Sequence, residues 1–276
     1  MRPSTLFQHI APQKTLSRIV RVATRWTWGP WKDFLIGRVV RSYQVDLQEA
    51  EQPDPRAYPS FNAFFTRALR EGARRPEGDD ATVVSPVDGR ISQIGPVEGG
   101  RIVQAKHHRY TVAELLADDA AAERYRDGGF ATLYLSPRDY HRVHMPVAGE
   151  LVETVYLPGR LFSVAPGPVA SIPRLFARNE RLVCHFEGAQ GPFVVAMVGA
   201  MLVSGISTVW NGPEVRARKL SRRDWRGRGI RLARFAEMAR FEMGSTVIVL
   251  LPPPARFDAA FAADAPVRLG QRLGHL

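Results

Sequence analysis

Apolar and basic positions alternate with a helical period near the start of the chain. The apolar positions are Leu16, Ile19, Val20 and Ala23, the basic ones are Arg18, Arg21 and Arg25, and tryptophans follow at Trp26, Trp28 and Trp31. This spacing predicts amphipathic helices within residues 1–45. Arginine and tryptophan beside an apolar stripe favour a helix that lies among lipid headgroups. The alternative is a helix packed on the core of its own protein.

The pattern changes after a proline-rich linker, where β-branched runs alternate with glycine and proline. Ser60 is suited to cap a short helix that begins at Phe61. Examples of the β-branched runs are residues 151–157, 193–203 and 245–251. Their regular spacing predicts a β-rich barrel or sandwich. A single helix is expected to interrupt it at Thr111–Arg126, because Thr111 and Glu114 have the spacing of a capping box.

Together these patterns predict an α+β chain with two regions. Residues 1–45 are expected to form N-terminal amphipathic membrane-binding helices, and residues 46–276 a β-rich barrel or sandwich domain. The chain has 276 residues, of which 45% are hydrophobic, so it can bury a sizeable core. No window approaches the roughly 18 consecutive apolar residues of a membrane-spanning helix. The N-terminus lacks the pattern of a secretory signal.

Charge and cysteine content narrow the classes of partner and cofactor. The formal net charge is +11, and the basic residues are nearly all arginine. Such a balance indicates an anionic partner, either nucleic acid or a membrane rich in acidic lipids. The basic segment 216–228 either contacts phosphates or forms a solvated loop. Cys184 is the only cysteine, which excludes an intramolecular disulfide and a zinc site built from cysteines.

The tripeptide Gly244-Ser245-Thr246 opens the last β-branched run and is suited to backbone cleavage. Glycine has no Cβ and allows close approach to the backbone, so the Ser245 hydroxyl can attack the Gly244 carbonyl and convert the amide to an ester. Elimination across the Cα–Cβ bond of Ser245 then releases the upstream chain. The dehydroalanine that remains hydrolyses to a pyruvoyl group. An ordinary turn before a buried strand is the alternative interpretation.

Two histidines, His141 and His144, lie three residues apart in the segment 136–146. Histidine is suited to proton transfer near neutral pH, and a turn at Pro137–Tyr140 would let both side chains reach one pocket. The alternative is one structural histidine and one surface histidine. No metal site is expected, because no cysteine or obvious third ligand accompanies the pair.

Asp88 precedes Gly89 between two strand-like runs, where aspartate commonly forms a turn through its own backbone hydrogen bonds. With His144 and Ser245 it also completes an Asp–His–Ser set. In such a set the carboxylate orients the imidazole, and the imidazole takes the hydroxyl proton. The order of the three residues along the chain is no objection, since the set is defined by geometry.

In these segments the chain resembles the bacterial phosphatidylserine decarboxylase proenzyme family, in its membrane-associated, pyruvoyl-dependent form. The matching stretches are residues 61–67, 85–89, 91–93, 134–146, 179–181 and 243–246. The resemblance extends from about residue 15 to residue 270. Met243 departs from the leucine that family members often carry, and this exchange conserves volume and apolarity.

The resemblance implies a role for each candidate residue. Ser245 is the self-cleavage nucleophile and becomes the covalent pyruvoyl cofactor. Gly244 becomes the end of a β chain of residues 1–244, and residues 245–276 form the α chain. Asp88 and His144 activate Ser245 in the proenzyme, whereas His141 handles the proton during decarboxylation.

The implied reaction converts phosphatidylserine to phosphatidylethanolamine and CO2. The pyruvoyl ketone forms an imine with the substrate amine, and the adjacent amide carbonyl accepts the electrons left by CO2, work that pyridoxal phosphate does elsewhere. None of the four lysines offers a convincing pyridoxal site. The implied partners are an anionic membrane surface and a second copy in a homodimer, with no nucleic acid. The implied location is peripheral, on the cytoplasmic face of the inner cell membrane.

Two further hypotheses remain open from the residues alone. A serine hydrolase would use Asp88, His144 and Ser245 on an external acyl group and would remain a single chain. A non-enzymatic module would bind lipid or nucleic acid through the N-terminal helices and the segment 216–228. Binding of nucleic acid through such basic residues would weaken with added salt.

Overall fold

The computed structural model describes residues 13–105, 107–201, 205–214, 217–242, 245–258 and 260–276, with backbone only at positions 14 and 245. The helices in these ranges are α1 (Gln13–Arg25), α2 (Gly29–Tyr43), α3 (Phe61–Phe65), α4 (Val112–Leu116), α5 (Asp119–Glu123), α6 (Pro166–Ser171) and α7 (Leu175–Arg178), with a 3₁₀ turn at Pro55–Ala57. None of the helices in these ranges is long and apolar enough to cross a bilayer.

The strands carry most of the ordered structure beyond the N-terminal helices. They are β1 (Thr82–Val84), β2 (Gly89–Pro96), β3 (Arg101–Ala105), β4 (His108–Thr111), β5 (Gly129–Leu135), β6 (Arg142–His144), β7 (Gly149–Leu157), β8 (Arg181–Gly188), β9 (Gly191–Val198), β10 (Ile206–Thr208), β11 (Gly212–Pro213), β12 (Ser221–Asp224), β13 (Arg231–Leu232), β14 (Glu237–Phe241), β15 (Ser245–Leu251), β16 (Arg256–Phe257), β17 (Pro266–Val267) and β18 (Arg272–His275).

Four antiparallel sheets are built from these strands. The largest has nine strands, in the order β12-β7-β8-β9-β15-β5-β2-β17, with β13 also paired to β7. The others have the orders β11-β10-β14-β6, β1-β18-β16 and β3-β4. The predicted β-rich core is confirmed. None of the sheets within the described ranges closes on itself, so the expectation of a barrel is not met.

The nine-stranded sheet is buried on both faces, which explains the uninterrupted apolar run in β15. Side chains alternate between the faces of a strand. Val247 and Val249 pack in one apolar cluster with Phe241 of β14. Ile248 and Leu250 point the other way, into a second cluster that contains Leu115 of α4. A strand covered on both sides loses the apolar–polar alternation of a surface strand.

The helix predicted over Thr111–Arg126 is wrong as a single element. Thr111 and Glu114 do form the predicted capping box at the start of α4. However, α4 ends at Ala117, whose φ of 53° is left-handed, and the Asp118 side chain then caps α5 by accepting from Ala121 N. The local cap formed by the Asp118 side chain thus divides into two helices a sequence pattern that predicts one.

A separate apolar cluster joins α2 and α3. Its buried members are Ile36, Val45, Tyr58, Phe61, Phe64 and Phe65. The predicted cap of α3 is confirmed, since the Ser60 side chain accepts a hydrogen bond from Ala63 N at 3.2 Å. This cluster fixes the short helix α3 on α2.

Helix α1 packs on the β-rich domain through its polar side. Gln13, Ser17 and Thr24 are buried, and Gln13 Oε1 accepts a hydrogen bond from Leu161 N at 2.9 Å. On the opposite side Ile19 and Val22 have 61% and 74% of their surface exposed. Of the apolar stripe seen in the sequence, Ile19 thus points away from the domain, whereas Leu16, Val20 and Ala23 are half-buried.

The basic segment 216–228 is partly a strand. Its described residues include β12, which pairs with β7 at the edge of the nine-stranded sheet. Arg222 forms ion pairs with Asp118 and Glu153. Arg223 Nη1 lies 3.7 Å from Glu214 Oε2. Part of the segment's charge is thus balanced within the protein.

Candidate active site

Three neighbouring strand ends define one end of the nine-stranded sheet. β2 begins at Gly89, β5 ends at Leu135 and β15 begins at Ser245, and the three strands are adjacent in the order β15-β5-β2. Because they are antiparallel, these ends lie together. Ser245 is paired with Leu135. A Cβ on Gly89 would lie 2.3 Å from Tyr134 O, so glycine is required for this close approach.

Both histidines reach the same end of the sheet. The chain leaves β5 at Leu135 and enters β6 at Arg142. β6 pairs with β14, which ends four residues before Ser245. Phe241 N donates to His141 O at 2.9 Å. The two pairs of strands thus bring the histidine segment beside the start of β15.

His141 is a neutral, fully buried imidazole with one unused nitrogen. Its Nδ1 lies 2.8 Å from Asp139 O, and since a carbonyl oxygen only accepts, Nδ1 carries the proton. Nε2 is therefore a bare acceptor, and no described residue forms a hydrogen bond with it. The Phe65 ring packs on the imidazole with centroids 4.0 Å apart. Burial lowers the pKa of His141 to about 3.

His144 is partly exposed, and both of its ring nitrogens are engaged. Nδ1–H donates to Phe235 O at 2.7 Å, so Nε2 accepts from the Tyr140 hydroxyl at 3.1 Å. Burial lowers the pKa of His144, while the hydrogen bond to Phe235 and the charges of Glu237 and Asp88 act in the opposite direction. The carboxylate of Asp88 thus favours a proton on this histidine.

The hydrogen-bond partners of Asp88 differ from the one that the sequence indicated, His144. Arg74 donates to it through Nε at 2.9 Å and Nη2 at 2.7 Å, and Leu269 N donates at 2.7 Å. The same Arg74 also binds Glu49 at 2.6 Å. No hydrogen bond between Asp88 and His144 occurs in the described structure, so Asp88 acts on His144 by charge and not by contact.

The residues at the proposed scissile bond are described only in part. Met243 and Gly244 lie outside the described residues, and Ser245 is described by its backbone. Thr246, the next residue of β15, is fully buried, and its hydroxyl has no hydrogen-bond partner in the part of the chain that the structure describes. The catalytic roles of Asp88, His144 and Ser245, and the cut between positions 244 and 245, stay predictions.

Sequence reasoning missed the residues that orient the site. Arg74 carries no motif that links it to Asp88. Phe235 contributes a backbone carbonyl from a left-handed conformation with φ 70°, which is uncommon for a bulky residue and has no sequence signature. Arg67 belongs to the segment 61–67, one of the stretches that carry the resemblance. Its burial could be inferred only from the packing of α3.

The described side chains show no metal centre at this end of the sheet or elsewhere. No group of three or more His, Cys, Asp or Glu residues among them could hold a metal ion. What the site does offer is two imidazoles with a fixed tautomer, one bare acceptor nitrogen and a nearby carboxylate. These groups are suited to moving protons.

Comparisons with known proteins cover nearly the whole chain. A family model described as phosphatidylserine decarboxylase matches residues 61–275, and a second model, described as PSD, matches residues 3–44. The phosphatidylserine decarboxylase proenzyme of Xanthomonas euvesicatoria pv. vesicatoria (strain 85-10) is 58% identical over 98% of this chain and 97% of its own length. That of Stenotrophomonas maltophilia (strain R551-3) is 54% identical over 100% of both chains.

Proposed function

Since the chain belongs to the phosphatidylserine decarboxylase family, we propose that it converts phosphatidylserine to phosphatidylethanolamine and CO2 after cleaving itself between Gly244 and Ser245. The observation that carries this proposal is the convergence of His141, His144 and Asp88 on the sheet end where Ser245 begins β15. The segments that carry the family resemblance are the ones that meet there.

Cleavage needs a base near the Ser245 hydroxyl, and we assign that role to His144. Its Nε2 is an acceptor in the observed tautomer, and the Asp88 charge favours the protonated form that follows proton uptake. The Ser245 oxygen then attacks the Gly244 carbonyl carbon, and the peptide bond becomes an ester. Tyr140 must release Nε2 for this step, because its hydroxyl now occupies that nitrogen.

The surroundings of position 245 are compatible with a pyruvoyl group. Two buried polar atoms without partners, His141 Nε2 and Thr246 Oγ1, lie at or beside this sheet end and suit a carbonyl-bearing, amine-binding site. Once formed, the pyruvoyl group would supply a carbonyl that takes up the electron pair left on the substrate carbon when CO2 departs. The bare Nε2 of His141 can take up a proton. It then donates that proton to the substrate carbon.

Membrane contact through α1 and α2 completes the proposal. Large exposed apolar side chains on these helices and the turn between them are Ile19, Val22, Trp26, Trp28 and Phe34. Arg18 and Arg21 are exposed beside them. Apolar and basic side chains on one exposed helix favour the headgroup layer of an anionic membrane. We therefore infer a peripheral protein on the cytoplasmic face of the cell membrane and, from the resemblance alone, a homodimer.

The activity is tested by measuring CO2 release from carboxyl-labelled phosphatidylserine in mixed micelles. Ser245→Ala should abolish CO2 release, because it removes both the nucleophile and the precursor of the cofactor. Ser221→Ala, on the edge strand β12, is the matched control and should retain activity. Decarboxylation by Ser245→Ala at the wild-type rate would refute the proposed function.

A further inference from the structure

Arg67 is a buried arginine with unused donors. It follows α3, and 5% of its surface is exposed. Its Nη2 donates to Arg138 O at 2.9 Å, whereas Nε and Nη1 have no hydrogen-bond partner among the described residues. Buried polar groups in folded proteins are nearly always hydrogen-bonded, and a buried charge without a partner is strongly unfavourable. The site therefore lacks an acceptor.

The described carboxylates nearest in charge to Arg67 are bound by other residues. Asp139 is close enough for its charge to act on Arg67, but its Oδ2 accepts from both the N–H and the hydroxyl of Ser136, each at 2.7 Å. Asp88 is bound by Arg74. The guanidinium carbon lies over the Phe64 ring, 5.3 Å from its centroid. Among the described residues, no carboxylate thus forms a hydrogen bond or an ion pair with the open N–H groups of Arg67.

Arg67 and His141 converge on one backbone oxygen. Asp139 O accepts from His141 Nδ1 at 2.8 Å and lies 3.5 Å from Arg67 Nη2. The imidazole and the guanidinium are therefore close neighbours, and each has an unused polar atom, an acceptor on His141 and donors on Arg67. An open acceptor beside open donors suits a ligand that carries both an acidic oxygen and a hydrogen-bond donor such as an amine.

We propose that the open N–H groups of Arg67 bind an oxyanion of the substrate headgroup and hold the headgroup against His141. The inference rests on the proposed function, since phosphatidylserine supplies the oxyanion. Its headgroup has two such groups within a few bonds of the reacting carbon, the carboxylate and the phosphodiester. Either one accepts charge-assisted hydrogen bonds from a guanidinium.

The same contact would couple substrate binding to the proton on His141. Burial is the main cause that lowers the pKa of His141, and the Arg67 charge adds to it. An oxyanion on Arg67 offsets that charge and so favours protonation of the imidazole when substrate is present.

The test compares Arg67→Met with Arg67→Lys and with Arg70→Met, an exposed control three residues along the chain. Full-length protein is first checked for cleavage by mass and for CO2 release from phosphatidylserine. Inhibition is then measured with glycerophosphoserine, which carries both oxyanions, and with glycerophosphoethanolamine, which lacks the carboxylate. Wild-type protein that releases no CO2 would contradict the decarboxylase assignment and this proposal with it.

Loss of a charge-assisted hydrogen bond should raise KM and the inhibition constants about 10-fold or more in Arg67→Met. If the carboxylate is bound, only inhibition by glycerophosphoserine weakens, and this compound no longer inhibits more strongly than glycerophosphoethanolamine. If the phosphodiester is bound, inhibition by both compounds weakens alike.

KM and inhibition constants within about 3-fold of those of Arg70→Met would overturn the proposal, as Arg67 would then only anchor the turn at Arg138. Should Arg67→Met remain uncleaved, Arg67→Lys is measured instead. Failure of both variants to mature would assign Arg67 to cleavage and equally overturn the proposal.

Discussion

His141 and His144 are held by backbone carbonyls in the same way and differ in their second nitrogen. The Nδ1 of each donates to a carbonyl oxygen, of Asp139 and Phe235 respectively. The Nε2 of His144 is bound to Tyr140, whereas that of His141 has no partner. The Asp88 charge is among the causes that set the pKa of His144, and it is not among those that set the pKa of His141. This difference supports separate roles in cleavage and decarboxylation.

Substitution of the two histidines should separate these roles. His144→Gln should remain a single chain, because it lacks the base for cleavage. His141→Gln should cleave but release CO2 about 10²- to 10⁴-fold more slowly, the usual contribution of a general acid or base. Gel analysis and CO2 release measure the two steps. The exposed His275 offers the control His275→Gln, and a His144→Gln protein that matures like wild type would contradict the assignment.

The buried His141 should also make stability depend on pH. Its folded pKa is depressed to about 3, whereas the unfolded chain binds the proton below about pH 6.5. Between these values the unfolded state binds more protons, so acidification lowers the free energy of unfolding.

Urea unfolding in a Ser245→Ala background, which keeps one chain, measures this effect. From pH 7 to pH 5, protein with His141 should lose about 2 kcal/mol more stability than His141→Gln. Titrating carboxylates affect both proteins alike and cancel in the difference. Equal losses in the two proteins would mean that His141 is not held neutral in the folded state.

At the scale of elements, α3 connects the N-terminal helices to the histidine segment. Phe65 packs on His141, and Thr66 O accepts from Arg142 Nε at 3.0 Å. Phe64 is fully buried in the cluster that joins α2 and α3. The helix has only five residues, so this packing, and not helix propensity, determines its stability.

Truncation of Phe64 should therefore destabilise the protein strongly. Phe64→Ala is expected to lower the free energy of unfolding by about 3–5 kcal/mol, through lost burial and the cavity that remains. Phe34→Ala is the matched control, since Phe34 is 56% exposed and its truncation in the absence of membrane should change stability by about 0.5 kcal/mol or less. Urea denaturation that gives similar values for both variants would contradict this packing.

The exposed side of α1 should determine membrane affinity. The triple variant Ile19→Ser, Val22→Ser and Trp26→Ser should reduce flotation with anionic vesicles by at least about 10-fold, because each apolar side chain contributes about 1.5–3 kcal/mol when buried. Leu220→Ser removes an exposed apolar side chain elsewhere on the domain and should leave flotation unchanged. Unaltered flotation of the triple variant would rule out α1 as the anchor.

Elements marked by local signals were predictable, and those decided by packing were not. The Ser60 cap and the Thr111 capping box follow from side-chain hydrogen bonds within four residues. The break at Ala117 depends on a competing local cap. The amphipathic pattern of α1 gave no information on which side packs, and its polar side does so because Gln13 binds the backbone of Leu161.

At the scale of the whole molecule, strand topology assembles the site from distant segments. Asp88, the two histidines and Ser245 were identifiable as residue types suited to one reaction, and antiparallel pairing brings their segments to one sheet end. The partners of these residues were not predictable. Arg74 reaches Asp88 from a loop, and Phe235 contributes only a carbonyl oxygen, so neither leaves a pattern in the sequence.

The most direct test of the central claim is the intact mass of the purified wild-type chain, with and without a hydrazide that traps carbonyls. We expect two polypeptides, residues 1–244 and residues 245–276, with the smaller one lighter than its sequence by the mass of ammonia and labelled by the hydrazide. A single unlabelled polypeptide of 276 residues that nevertheless releases CO2 from phosphatidylserine would contradict the account.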